Sequence, residues 1–282
     1  MNKNDFIVLN VLKKKLLLSN SRLIDIIKTK RFLEDNFKEN SDSVNHFREI
    51  YEYCHKNKIN IISYLDNEYP KNLKMITNPP FFLYCRGDID LLNKKSIAIV
   101  GSRESSDEAI SWVRNVSKDL IDSDMVLISG GAIGVDTSVH EAALDFNGKT
   151  ITVLGSGLDN AYPDTNYTLF NKIAKKGLLI STLEPNKSVN KISLLERNKI
   201  ISGMADAIII ATAKLNGGSM EQFKIARTQK KTIFVPNTSL YPDSGIRLMK
   251  CKPFVIEISD AFKIIKSMPT SNKPVLNTEI FR

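Results

Sequence analysis

The residues of this chain best suited to chemistry are glycines and cations at the ends of apolar runs. Gly101-Ser102-Arg103, Ser129-Gly130-Gly131-Ala132-Ile133-Gly134 and Gly155-Ser156-Gly157-Leu158-Asp159 each follow a strand-like stretch and precede a helix-like one. Backbone N–H groups in such turns, next to a helix N-terminus, favour anions and above all phosphate. Their repetition predicts one phosphate-lined shelf. Arg103, just past the first strand, can grip a phosphate with its two-pronged guanidinium. The alternative is an ion pair with Glu104 or Asp107. Arg197-Asn198-Lys199 is expected to open a helix, and with Lys187 and Lys191 upstream the segment carries four bases against one acid, Glu196. That balance reads as a track for further phosphates, or as an ordinary basic loop. Asn216-Gly217-Gly218-Ser219 supplies a fourth turn ahead of a helix beginning near Met220, with Glu221 in its first turn. Tyr162, Tyr167, Phe170 and Tyr241 lie near these turns and could stack on bases, although single aromatics are more often core or rim residues.

Other constellations carry less. Asp136 and His140 stand four apart on one helix, so their side chains can meet. With no Ser or Cys nucleophile beside them, a structural hydrogen bond that locks the helix to its glycine turn is the preferred reading. Gly148-Lys149-Thr150 imitates the end of a P-loop, but Ala143 stands where the first glycine belongs and a strand follows. Gly155-Ser156-Gly157 begins like a dinucleotide fingerprint, but Asn160 replaces its last glycine. Cys54, Cys85 and Cys251 are far apart, and His46, His55 and His140 add no metal-like spacing. No cofactor and no metal are expected.

The elements that must position these residues follow from composition and periodicity. The chain has 282 residues, 42% of them hydrophobic, and Lys plus Arg exceed Asp plus Glu by 40 to 31, a formal charge of +9. A core is within reach, and the basic balance suits nucleic acid or another anionic partner. The sequence offers neither an apolar run of about 20 residues for a membrane span nor a signal-peptide pattern; the cytoplasm is expected. Strands are predicted at Ser96–Val100, Met125–Ile128, Thr150–Leu154, Gly177–Ile180, Ala207–Ala211, Thr232–Val235 and Phe254–Ile256, with helices between them, for example Val135–Phe146. The strands are continuous apolar runs, the mark of parallel strands covered on both faces. The fold class is therefore α/β, a doubly wound, mostly parallel sheet. Residues 1–57 read as helices, with a second helical stretch over about Asp42 to Lys56, and Lys13-Lys14-Lys15 as a solvated helix edge. Residues 58–282 form the α/β domain, entered through a strand at Ile59–Ser63 and an apolar stretch at Phe81–Tyr84.

Taken in order, these motifs resemble the DNA-processing protein A (DprA/Smf) family. The resemblance starts at Ile61-Ile62-Ser63, Asp66 and Tyr69-Pro70-Lys71-Asn72-Leu73. It continues through Asn78-Pro79-Pro80, Leu83-Tyr84 and Gly87-Asp88 to Ile97–Arg103 and Ser129–Asp136. His140, Ala143-Leu144, Gly155–Asp159, Tyr162-Pro163, Asn166, Ser181 and Glu184 follow, and Arg197–Gly203 and Gly218-Ser219 complete it. It implies an extended Rossmann-like domain behind a small helical, SAM-like N-terminal domain. It also implies a non-enzymatic protein, usually dimeric, that binds single-stranded DNA and hands it to the RecA recombinase during natural transformation. The implied DNA contacts are Gly101, Ser102, Arg103, Ser129, Gly130, Gly131, Ala132, Gly155, Gly157, Asn166, Lys187, Lys191, Arg197, Asn198, Lys199, Gly218 and Ser219. The sequence departs from the family pattern in four places. Pro185–Lys191 replaces a Gly- and Pro-rich spacer, Lys199 a more usual arginine and Gln222 a common threonine, and no winged-helix segment is recognisable before Arg282.

The leading expectation is a single-stranded DNA-binding protein that loads a recombinase. The rival is a nucleotide-monophosphate sensor or phosphoribohydrolase-like enzyme that would use Glu221 as its acid. A scaffold whose N-terminal helices bind a protein is the third.

Overall fold

The computed structural model describes residues 2–28, 42–237, 239–241 and 243–267. Three helices come first, α1 (Lys3–Lys15), α2 (Asn20–Lys28) and α3 (Asp42–Lys56). A hairpin of β1 (Asn60–Ser63) and β2 (Phe82–Gly87) follows. Then come β3 (Ser96–Val100), α4 (Asp107–Asp122), β4 (Val126–Ser129), α5 (Val135–Asp145), β5 (Thr150–Val153), α6 (Tyr167–Lys176) and β6 (Leu178–Ser181). The chain continues through α7 (Lys191–Met204), β7 (Ala207–Ile210), α8 (Gly218–Thr228), β8 (Thr232–Pro236), α9 (Ser244–Lys250), β9 (Val255–Ile258) and α10 (Phe262–Ser267).

The strands form one sheet in the order β1-β2-β6-β5-β4-β3-β7-β8-β9. β3 to β9 are mutually parallel, and the β1–β2 hairpin extends the sheet antiparallel at the β6 edge. Each predicted strand is present, shifted by a residue or two at some ends. The continuous apolar runs have the expected cause. Ala98, Val100, Ile208 and Ile210 face one core with Ile200, Ile201, Met220 and Phe223. Ile97, Ile99, Ala207 and Ile209 face the other with Trp112, Val113, Val135 and Val139. Alternate side chains thus bury on opposite faces, each worth about 1.5–3 kcal/mol when fully removed from water.

A third apolar cluster joins the N-terminal helices to the sheet edge: Phe6 and Phe47 pack with Phe82 of β2 and Phe170 of α6. The chain order reverses between β3 and β7, so the carboxyl ends of these two strands flank the topological switch point where ligands of such sheets collect.

Two local readings are corrected. α7 begins at Lys191, capped by a reciprocal Asn190–Ser193 box, so Arg197 sits in its second turn and does not open it. His140 does not meet Asp136. Its ring lies between Thr150 and Thr152 of β5, Nδ1 at 2.8 Å from one hydroxyl and Nε2 at 3.3 Å from the other. Burial, helped by the charge of Arg197, pushes this imidazole down to about 3, so it is neutral at ordinary pH.

Candidate nucleic-acid interface

The loops after β3, β4 and β5 enclose a cup of about 50 Å³ at the carboxyl end of the sheet. Arg103, Gly130, Ala132, Ile133, Gly155, Tyr162, Leu194 and Arg197 are among its lining residues. Arg103 is exposed and has no acidic partner among the described residues, since Glu104 pairs with Lys214 at 2.5 Å. The alternative of an Arg103–Glu104 ion pair is thus set aside.

The glycine turn after β4 works differently from a free phosphate nest. The carboxylate of Asp136, in the first turn of α5, reaches back and accepts the N–H of Ala132 at 3.2 Å. This is the lock to the glycine turn expected of Asp136, made without His140. Arg197 closes the other side: its guanidinium donates to the carbonyl of Gly130 at 2.6 Å and lies 3.8 Å from Asp136. Burial pushes the Asp136 carboxyl up, against the pull of Arg197 and the turn amides. The same burial pulls the Arg197 guanidinium below its usual value, with Asp136 opposing. The turn's anion is therefore internal, and the cationic groups lining the cup are the guanidinium groups of Arg103 and Arg197. Arg197 has N–H groups to spare, and its buried Nε has no protein partner.

Glycine is required here for close approach. A Cβ on Gly130 would sit 1.7 Å from the Arg197 guanidinium, and one on Gly134, whose φ is +83°, 2.4 Å from the carbonyl oxygen of Arg103. The second contact fixes where the Arg103 backbone stands at the head of α5.

Several expected contact residues are turned inward. The Ser129 hydroxyl is buried and donates to the Ile99 carbonyl at 2.7 Å, tying β4 to β3. Asn166 is buried and donates to the Gly131 carbonyl and to Thr137. Gly131 backs onto Phe170, which places that aromatic in the core. The Gly157 amide is taken by the Lys187 carbonyl at 2.7 Å, so this glycine braces the loop before α7. The Ser102 amide is taken by the Thr212 hydroxyl at 2.8 Å. Asn198 is half-buried, and its carbonyl accepts from Gln222 of α8 at 2.9 Å. Gly101 is held between Val135 and Thr212.

Lys187 and Lys199 do not line the cup. They line a second, larger groove of about 700 Å³, and each contacts a nearby acid, Glu184 at 3.4 Å and Glu196 at 2.5 Å. Lys191 is exposed at the start of α7. Gly218 is exposed, with open space where a Cβ would go, and the Ser219 side chain is buried. Both open α8, whose first amides lack intrahelical acceptors, but neither lines the cup. Glu221 is also outside the cup, paired with Lys224 at 2.5 Å. Tyr162 is exposed and lines the cup, Tyr167 is exposed at the start of α6 outside its lining, and Tyr241 is buried and donates to the Ala211 carbonyl.

Sequence reasoning missed Thr212. Its hydroxyl draws the loop after β7 against the loop after β3 and closes the switch-point crevice, which displaces the opening toward β4 and β5. Only the β3–β7 adjacency, invisible in the sequence, singles it out.

The sheet and cup define a Rossmann-like α/β protein with two arginines lining a cup at the carboxyl edge of its sheet. The chain belongs to the family of DNA recombination-mediator protein A, whose family model matches residues 60–249. The DNA processing protein DprA of Streptococcus pneumoniae is 37% identical over 179 residues, 63% of each chain. DprA of Bacillus subtilis is 32% identical over 216 residues, 76% of this chain and 73% of that protein. The match to the S. pneumoniae relative thus spans less than two thirds of that protein's length. A crystal structure of S. pneumoniae DprA superposes with a TM-score of 0.79 at 26% identity, covering 96% of this chain and 99% of that one. DNA processing protein A from Helicobacter pylori, described for its single-stranded DNA binding mode, gives 0.68 at 30% identity over 74% and 94%. Among the described residues no helix is long and apolar enough to cross a membrane.

Proposed function

We propose that the cup holds the phosphodiester backbone of single-stranded DNA, and that the protein delivers the bound strand to a RecA-type recombinase. The observation that carries this is the convergence of two guanidinium groups in one open cup. Among the described residues Arg103 has no acidic partner, and the buried Nε of Arg197 has no hydrogen-bond partner. A phosphate would satisfy both, since guanidinium matches phosphate oxygens in a forked, charge-assisted fit.

The preference for a single strand rests on the rim. Ile133 and Tyr162 are exposed there, and unstacked bases can lie against such surfaces while a duplex keeps its bases inside. The wider track includes Lys187, Lys191, Lys199 and the Gly218-Ser219 turn. Residues 1–57 act as a helical unit set on the 58–282 domain. The reading further includes a homodimer, a place in the cytoplasm, and no reaction catalysed. It is supported by the family and by the H. pylori relative's described binding of single-stranded DNA.

The test is competition between labelled oligothymidylate and duplex, followed by assembly of a RecA filament on a strand pre-coated with single-stranded DNA-binding protein. Preference for the single strand and faster filament assembly are expected. Equal affinity for duplex contradicts the binding assignment, and unchanged assembly contradicts the delivery step.

A further inference from the structure

The second groove lies between the end of α1 and the loop and helix around α7. Its wall includes Lys13 and Lys14 from the N-terminal helices and Lys187 and Lys199 from the α/β domain. The two acids that line it, Glu184 and Glu196, already contact Lys187 and Lys199. Among the described residues Lys13 and Lys14 have no acidic partner. The last turn of a helix favours basic residues through its dipole, which accounts for exposed Lys14 and Lys15. It does not account for Lys13, which is half-buried facing a groove and whose pKa burial lowers. Asn20, on the same wall, keeps a buried side-chain oxygen with no partner; turned about its last bond the amide offers two N–H donors there.

α7 stands between the groove and the cup. It presents Leu194 and Arg197 to the cup, and Glu196, Lys199 and Ile200 to the groove. At 3.6 residues per turn these are opposite faces of one helix. Two cationic sites separated by about 10 Å, one helix diameter, suit an anion whose charges repeat along a chain. Leu195 is exposed on α7 between the two faces and offers apolar cover to bases crossing it.

We propose that this groove is a second backbone-binding subsite for the same DNA single strand, with Lys13 and Lys14 as its N-terminal contacts. The inference rests on the cup reading above and gives the N-terminal helices a direct part in holding DNA. It replaces the reading of Lys13 and Lys14 as a solvated edge and keeps that reading for Lys15.

The experiment measures binding of the whole chain to fluorescein-labelled oligothymidylates of about 4 and about 16 nucleotides across a salt series. The K13Q/K14Q variant should weaken the long oligomer and make its log–log salt slope shallower by about 1.4, or 0.7 per lost phosphate contact, while the short one is unaffected. K15Q, which removes a charge outside the groove, should match the parent, and K13R should retain the parent slope. If K13Q/K14Q binds the long oligomer as K15Q does while Arg103→Ala loses the short one, the groove is overturned and the cup stands. If K13Q/K14Q weakens the long oligomer while Arg103→Ala changes nothing, the cup is overturned and the groove stands.

Discussion

The cup and the groove share α7 as a wall and are built from opposite materials. The cup is made of backbone turns packed to the limit of glycine, with one guanidinium fixed by Asp136 and the Gly130 carbonyl. The groove is lined by flexible lysines drawn from two distant parts of the chain. A site of the first kind loses little conformational freedom on binding and orients its ligand; one of the second kind supplies charge and tolerates register shifts. In the proposed reading an internal anion, Asp136, organises a site for an external one. Asp136 holds the turn and the arginine together, and the arginine's buried Nε is left without a protein partner.

Substitutions separate the two designs, with the largest effect expected at Arg197. Arg197→Ala strands Asp136, whose side chain is 8% exposed, without its cation, and breaking such a buried pair costs about 3 kcal/mol or more. Urea unfolding should show that loss; a change under about 0.5 kcal/mol would mean that Asp136 does not need its partner. Gly134→Ala comes next. The positive φ and the 2.4 Å approach to the Arg103 carbonyl should cost more than about 1 kcal/mol, with DNA binding weakened through a displaced Arg103.

His140→Gln probes the floor beneath the cup through pH. The folded pKa of His140 is depressed to about 3 from 6.5, so the unfolded chain binds the proton first. The folded state therefore loses stability as pH falls below 6.5, a loss that continues toward 3. Thermal unfolding between pH 6.5 and 5, where most carboxylates stay ionised, should fall less steeply in the variant than in the parent. Parallel curves would show that the ring is not held neutral. The smallest effect is expected at Gly218→Ala. Nothing crowds this position, so stability should hold or rise by about 0.5 kcal/mol. Weaker DNA binding without destabilisation would place the α8 turn on the track; unchanged binding would confine the grip to the cup and groove.

The sheet was legible because both its faces are covered: Ile97 and Ile99 bury on one side while Ala98 and Val100 bury on the other, which erases alternation from the sequence. The glycine turns were legible as turns. Their chemistry was legible in part: a lock between the Asp136 helix and its glycine turn was expected, but not that the carboxylate takes the amide of Ala132 and leaves His140 out. Thr212 went unnoticed and Lys13 was read as a solvated edge for a shared reason. Each matters through a neighbour far along the chain, Ser102 in one case and the wall around α7 in the other. Local pattern fixes which way a helix faces the core but not what a distant loop brings to its edge.

The central claim is that Arg103 grips a DNA phosphate in the cup. Its most direct test is the salt dependence of oligothymidylate binding by the parent and by Arg103→Ala. Loss of one contact should weaken binding at low salt on every sequence and make the log–log slope shallower by about 0.7, with the thermal unfolding midpoint unchanged. An unchanged slope with unchanged affinity would contradict the account.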